Sequence, residues 1–348
     1  MQIKGVVPAA GRVPRSRSTA TGAGAAARAI LVLLVPVMLM AVAPPLRAAG
    51  LDVVVTVKPV HALVARVMQG LGEPKLLIDG RASPHAFSLR PSQARVLAEA
   101  DVFVRVSPDL ETFTQKTAGL LKKGARVVTL MDAPGLQVRP TRKTATFGED
   151  DHDKGSHHKD DHGHKGQHHD DDHDHGATDT HIWLDPENAK VIVGYVAKVL
   201  SEVMPQSKEI FARNAEAARG EIDATSTEVR AVLIPAAGRP FVVFHDAYQY
   251  YEQRFGLTAL GALTLHPEVT PSARRLTSIR AELREHGGGC VFAEPQFPER
   301  IINAVTEGTN WGKGVLDPLG ADLAPGPQLY GQLLLGLAAT FAGCLGRS

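Results

Sequence analysis

Nine of the fifteen histidines in this 348-residue chain fall in one polar run. They are His152, His157, His158, His162, His164, His168, His169, His173 and His175, interleaved with Asp and Lys. Short His-rich tracts of this kind bind divalent metal weakly and in many geometries. The run has no large apolar side chain with which to build a core, so residues 149–177 are expected to be a disordered insertion. The texture then changes abruptly to Thr180-His181-Ile182-Trp183-Leu184-Asp185-Pro186, which reads as ordered and carries one isolated imidazole. A tract that collects metal therefore runs straight into His181, a candidate fixed ligand.

Three more side chains share the position expected of a ligand. In open parallel sheets, ligands bind beyond the carboxyl ends of the strands. His85 lies in the loop after the strand Leu76–Ile78, and His181 follows the fourth strand across the insertion. His245 ends Phe241–Phe244, and Asp317 ends Gly314–Leu316. Two belong to the first half of the chain and two to the second, so the halves face to face would enclose one site. Three neutral imidazoles with a carboxylate or water match tetrahedral Zn²⁺. Imidazole-rich sets suit zinc, copper and nickel, whereas manganese prefers more oxygen. Only neutral imidazole binds, so affinity is expected to fall below about pH 6.5. Asp185 and Asp246 flank ligand candidates and could orient imidazoles, although a cap or a surface charge explains each as well. Glu294 either faces the cleft or opens a turn with Pro295. His61 and His286 read as structural, and His266 as a surface residue or an auxiliary ligand.

The frame that would hold these residues is a repeated alternation of apolar strand and helix. In the first half the strands are Asp52–Val57, Leu76–Ile78, Val102–Val106 and Arg126–Leu130. The helices are Pro59–Gly70, Pro91–Ala100 and Glu111–Lys122. Strands of this kind indicate a parallel sheet covered on both faces. In the second half the strands are Phe241–Phe244, Leu257–Leu263, Cys290–Ala293 and Gly314–Leu316. Helices are expected at Ala247–Phe255, Ser272–His286, Glu299–Thr309 and Gln328–Cys344. Between the halves, after a helix to about Val203, residues 206–234 repeat apolar or small residues at steps of three and four. That pattern predicts a long helix, either a strut between domains or one arm of a hairpin on a single domain. The fold class is α/β: two (β/α)₄ lobes with parallel sheets, joined by one long helix. The expected boundaries are 50–204, 205–235 and 236–348.

Composition bounds the setting. The formal charge is +1, but residues 1–49 hold six basic residues and no acid. The remainder has 32 basic against 37 acidic residues, a net −5. Nothing in that balance suggests a nucleic-acid partner. Basic residues up to Arg28 precede an apolar run of about 15 residues and then Ala48, Ala49 and Gly50. The run is short of the roughly 20 residues of a membrane span and fits a secretory signal. No cysteine stands near its end to carry a lipid. The two cysteines, Cys290 and Cys344, suggest one disulfide in an exported protein, if the fold brings them together.

Five stretches in combination resemble the periplasmic zinc-binding proteins of bacterial ABC-type zinc-uptake systems: Ser83–Ser92, His181–Glu187, Phe244–Glu252, Phe292–Phe297 and Leu316–Gly320. The resemblance runs from about Leu51 to the end, and a His/Asp-rich insertion before His181 is typical of it. It implies two (β/α)₄ lobes with Zn²⁺ at their interface, held by His85, His181 and His245 and completed by Asp317 or water. Manganese-type relatives carry a carboxylate at the third position, so His245 points to zinc. The family's disulfide maps onto Cys290 and Cys344. Some members have Glu before the first ligand, where this chain has Pro84, and some have an auxiliary His at the place of Ala262. The implied protein is a monomeric periplasmic receptor, not an enzyme. Its expected partners are a membrane permease with its cytoplasmic ATPase and a periplasmic zinc chaperone. Two rivals share the ligand set: a zinc hydrolase with Glu294 as general base, and an adhesin or metal buffer without a permease.

Overall fold

The computed structural model describes residues 50–117, 119–147 and 178–347. The polar tract and its nine histidines lie outside the described residues, as do residues 1–49. The described residues fall within one compact unit.

The first sheet is built from β1 (Val53–Val55), β2 (Lys75–Leu76), β3 (Val102–Arg105) and β4 (Arg126–Thr129), all parallel, in the order β2-β1-β3-β4. β1 is fully buried, as a strand covered on both faces must be. Helices α1 (Lys58–Val67) and α2 (Pro91–Ala98) carry the crossovers from β1 to β2 and from β2 to β3. Each has proline in its first turn, where the missing N–H costs nothing. The helix expected over Glu111–Lys122 is replaced by a short 3₁₀ turn, Thr112–Lys116. Three threonines and Gly119 weaken a helix there, and the Glu111 side chain is taken up by the backbone N–H groups of Val106 and Ser107.

The second half repeats the plan. β5 (Phe241–His245), β6 (Gly261–Thr264), β7 (Cys290–Ala293) and β8 (Gly312–Val315) are parallel in the order β6-β5-β7-β8. β6 begins at Gly261 rather than Leu257, and β8 ends at Val315. Helix α3 (Pro186–Val203) is capped by Asp185, which accepts from Glu187 N–H, and α4 (Lys208–Val232) is the long helix. Helices α5 (Gln249–Phe255), α6 (Ala273–His286), α7 (Arg300–Thr306) and α8 (Leu329–Leu345) complete the chain.

α4 lies against α1 and α3 of the first half and against α8 of the second. Of its buried residues, Ala215, Ala218, Ile222 and Val229 are on the three-and-four-residue stripe of the sequence, while at the start of the helix Phe211 is buried and Ile210 only half-buried. A single apolar cluster runs from Val53–Val55 through α3, α4 and α8 to Phe241 and Phe292, so the two sheets share a continuous core. A smaller cluster, including Val242, Ile279 and Trp311, fills the far face of the second sheet. Cys290, at the start of β7, is bonded to Cys344 of α8. A Cβ at Gly312 on β8 would lie 2.9 Å from Cys344 Sγ, so only glycine fits beside this bridge. Among the described residues no helix is long and apolar enough to cross a membrane.

Candidate metal site

Three imidazoles meet where the carboxyl ends of the two sheets face each other. His85 sits in the 3₁₀ turn Pro84–Ala86 that follows β2, His181 immediately precedes the turn Ile182–Leu184, and His245 is the last residue of β5. Their ring nitrogens lie within 4.8 Å of one another. His181 Nε2 is 3.4 Å from His85 Nε2 and 3.3 Å from His245 Nε2. Four donors at zinc–nitrogen bonding distance on a tetrahedron are separated by about 3.3 Å along each edge. Both spacings match that edge.

Behind each ring stands a carboxylate. His181 Nδ1 is 2.8 Å from Asp179 Oδ1, which also accepts the His181 backbone N–H at 2.9 Å. His245 Nδ1 is 2.7 Å from Glu294 Oε1, and Glu294 extends from the residue after β7. His85 Nδ1 is 3.5 Å from Glu268, a looser and more exposed pairing. A carboxylate at Nδ1 fixes that nitrogen as the N–H, so the lone pair is on Nε2 and points at the shared centre. Asp179 and Glu294 are both buried, and so are His181 and His245. The second oxygen of Asp179 accepts no hydrogen bond among the described residues.

The electrostatics follow from burial. Burial, reinforced by the other two imidazoles, pushes the His85 pKa down to about 2, so this ring is neutral at any physiological pH. Burial works to lower His245 as well, but the carboxylates of Glu294, Asp246 and Asp179 together outweigh it and the net shift is upward.

Aromatic and apolar side chains close the cavity. Trp183 meets the His181 ring edge-on at 5.4 Å, and its indole N–H donates to Pro318 O at 2.8 Å. Phe297 approaches His245 at 6.0 Å, and Pro318 and Leu319 complete the wall. Asp317, expected as the fourth ligand, stands outside the three-imidazole group. Its Oδ1 accepts from Leu319 N–H and Gln296 Nε2, and its Oδ2 from Ala321 N–H. The Asp-Pro sequence starts a turn, and the turn takes up both oxygens.

Asp185 caps α3 and forms a two-pronged ion pair with Arg254. Asp246 binds Arg142. Neither touches an imidazole; that role falls to Asp179, which is not among the sequence candidates, and to Glu294, which turns its carboxylate to the cleft. Asp179 is two residues before His181, and that spacing was the available signal. Glu294 is engaged with His245, which argues against a free general base. His61 hydrogen-bonds Pro74 O, and His266 lies on the loop beyond β6.

Comparison with known proteins gives a consistent picture. The family model of the periplasmic zinc-uptake complex component A, ZnuA, matches residues 53–344. The high-affinity zinc uptake system protein ZnuA of Brucella suis biovar 1 (strain 1330) is 42% identical over 306 residues, covering 85% of this chain and 92% of its own. That of Paracoccus denitrificans (strain Pd 1222) is 38% identical over 323 residues, covering 88% and 96%. A solved structure described as the crystal structure of ZnuA shares the fold with a TM-score of 0.68 at 22% identity, covering 85% of this chain and 99% of that one.

Proposed function

The chain belongs to the ZnuA family of periplasmic zinc-uptake components, and from that premise we propose that it captures Zn²⁺ with His85, His181 and His245 and delivers the ion to an ABC permease. The gathering of three imidazoles, with the Nε2 of His181 at tetrahedral edge length from those of His85 and His245, is the observation that carries this reading. The gathered donors are imidazoles alone, which suits zinc better than manganese. Asp179 and Glu294 place two carboxylates directly behind two of the rings, so their charge offsets that of a divalent cation in a site with little water. A monovalent ion would leave negative charge uncompensated there. With Asp317 held by its own turn, water or another small donor occupies the fourth position.

Proteins of this family are periplasmic components of ABC-type transport. Residues 1–49 act in this reading as the secretory signal, and the mature receptor is a monomer with no catalytic role. The partners are the membrane permease with its cytoplasmic ATPase, with a periplasmic zinc chaperone as a further donor. The lobes are residues 50–204 and 236–348, joined by 205–235. α4 and the continuous core restrict opening, so capture and release proceed by small lobe shifts. The His-rich tract raises the local metal concentration or senses saturation without forming the main site.

Competition against a calibrated zinc chelator tests the assignment. His181→Ala removes the ligand shared by both 3.3–3.4 Å edges and is expected to weaken binding at the tight site by about two orders of magnitude or more. An unchanged affinity would overturn the assignment.

A further inference from the structure

We propose that residues 142–147 form a strap from the first half onto the second, and that Arg142 is a positioning residue for His245. The inference rests on the zinc reading above and adds a structural element to it.

The strap begins where the chain leaves the first half. Pro140 pairs with Thr178, at the returning end of the insertion. Arg142 then reaches into the second half, donating to Asp246 Oδ1 at 2.7 Å and to the two oxygens of Glu252 at 3.2 and 3.0 Å. Asp246 is the residue after His245. Both carboxylates are buried, and Arg142 is the cation that bridges them. Beyond it, Thr146 faces Gly261 in antiparallel pairing on the free edge of β6. Phe147 N–H donates to Leu260 O at 2.7 Å, and Ala262 N–H donates to Ala145 O at 2.8 Å. A first-half segment thus pairs, through an isolated bridge, with the edge of the second sheet.

Side chains of both halves hold it there. Arg275 of α6 donates to Ala145 O at 2.6 Å, to Thr146 Oγ1 at 2.9 Å and to Ala262 O at 2.7 Å, clipping strap and strand together. The Arg142 guanidinium lies 4.0 Å above the Phe147 ring. A Cβ at Gly261 would fall 2.5 Å from Ala145 O, so β6 carries glycine where the strap crosses it.

This arrangement has a consequence for the site. His245 is fixed from one side by Glu294. The turn that follows it, closed by Ala247 N–H on His245 O, is fixed through Asp246 by Arg142. Without the guanidinium, two buried carboxylates would be left uncompensated one residue from a ligand. The turn would move to relieve them, and the spacing between His245 and His181 would be lost.

The test uses three variants of the full chain and two readouts: the zinc dissociation rate into excess chelator, and the visible ligand-field spectrum of protein loaded with cobalt(II), which reports coordination geometry. Arg142→Gln is expected to release zinc at least tenfold faster and to change the cobalt spectrum. Arg142→Lys, which keeps the charge, is expected to recover part of both. Gly261→Val pushes the strap, and Arg142 with it, away from the edge of β6 without removing a charge, and is expected to shift both readouts in the same direction. It also keeps the question decidable if Arg142→Gln does not fold. A folded Arg142→Gln with wild-type dissociation and spectrum would overturn the strap's role and leave the zinc reading standing. A wild-type protein without a tight zinc site would overturn both.

Discussion

Glu294 and Asp179 decide which nitrogen of each imidazole is free to bind. With Oε1 of Glu294 2.7 Å from His245 Nδ1 and Oδ1 of Asp179 2.8 Å from His181 Nδ1, both rings present Nε2 to the centre. Partners of this kind, one step removed from a metal, commonly account for 10–100-fold in affinity. Glu294→Gln keeps an acceptor at the ring but removes the charge, so zinc affinity is expected to fall roughly 10–100-fold. Chelator competition on a variant with native circular dichroism checks it, and an affinity within twofold of wild type would contradict it. The imidazoles themselves were legible in the sequence, because histidines at the ends of strands in both halves point to one cleft. Their carboxylates were not. Glu294 lies 49 residues from His245, and only the β5–β7 pairing brings them together. Asp317 shows a competing use: its residue type and position suit a ligand, and its oxygens accept from the backbone of its own Asp-Pro turn.

At the scale of elements, strand–helix alternation gave both sheets and the long helix. The apolar stripe on α4 placed its buried face correctly, since a 3.6-residue period and a packed face are the same physical fact. The misreadings fall where local chemistry competes with propensity. Residues 111–122 form only one 3₁₀ turn, and residues 145–147 pair with β6 although their sequence has no run of strand-forming residues long enough to announce it. The link between β7 and α8 rests on Cys290–Cys344, which closes a loop with a sequence separation of 54. A loop of that size stabilises the fold by about 4 kcal/mol through the entropy of the unfolded chain. Replacing both cysteines by serine is expected to lower unfolding free energy by about that amount, read from the denaturant midpoint. A loss below about 1 kcal/mol would show that α8 is held by packing alone.

For the whole molecule, the continuous core has the largest consequence. Separate cores would let two lobes swing freely, whereas a shared cluster through α3, α4 and α8 couples them. Binding energy is then spent on the ion rather than on closing a wide cleft, which suits a receptor whose three imidazoles are already gathered. The His-rich tract lies outside this frame in sequence, although its returning end leads directly to Asp179 and His181. The central claim is that the three imidazoles form the tight site without it. The most direct measurement is X-ray absorption on protein lacking residues 149–176, loaded with one equivalent of zinc. Three imidazole nitrogens at about 2.0–2.1 Å with one further light donor are predicted. A zinc ion with fewer than three imidazoles, or failure of the shortened protein to retain one equivalent, would contradict the account.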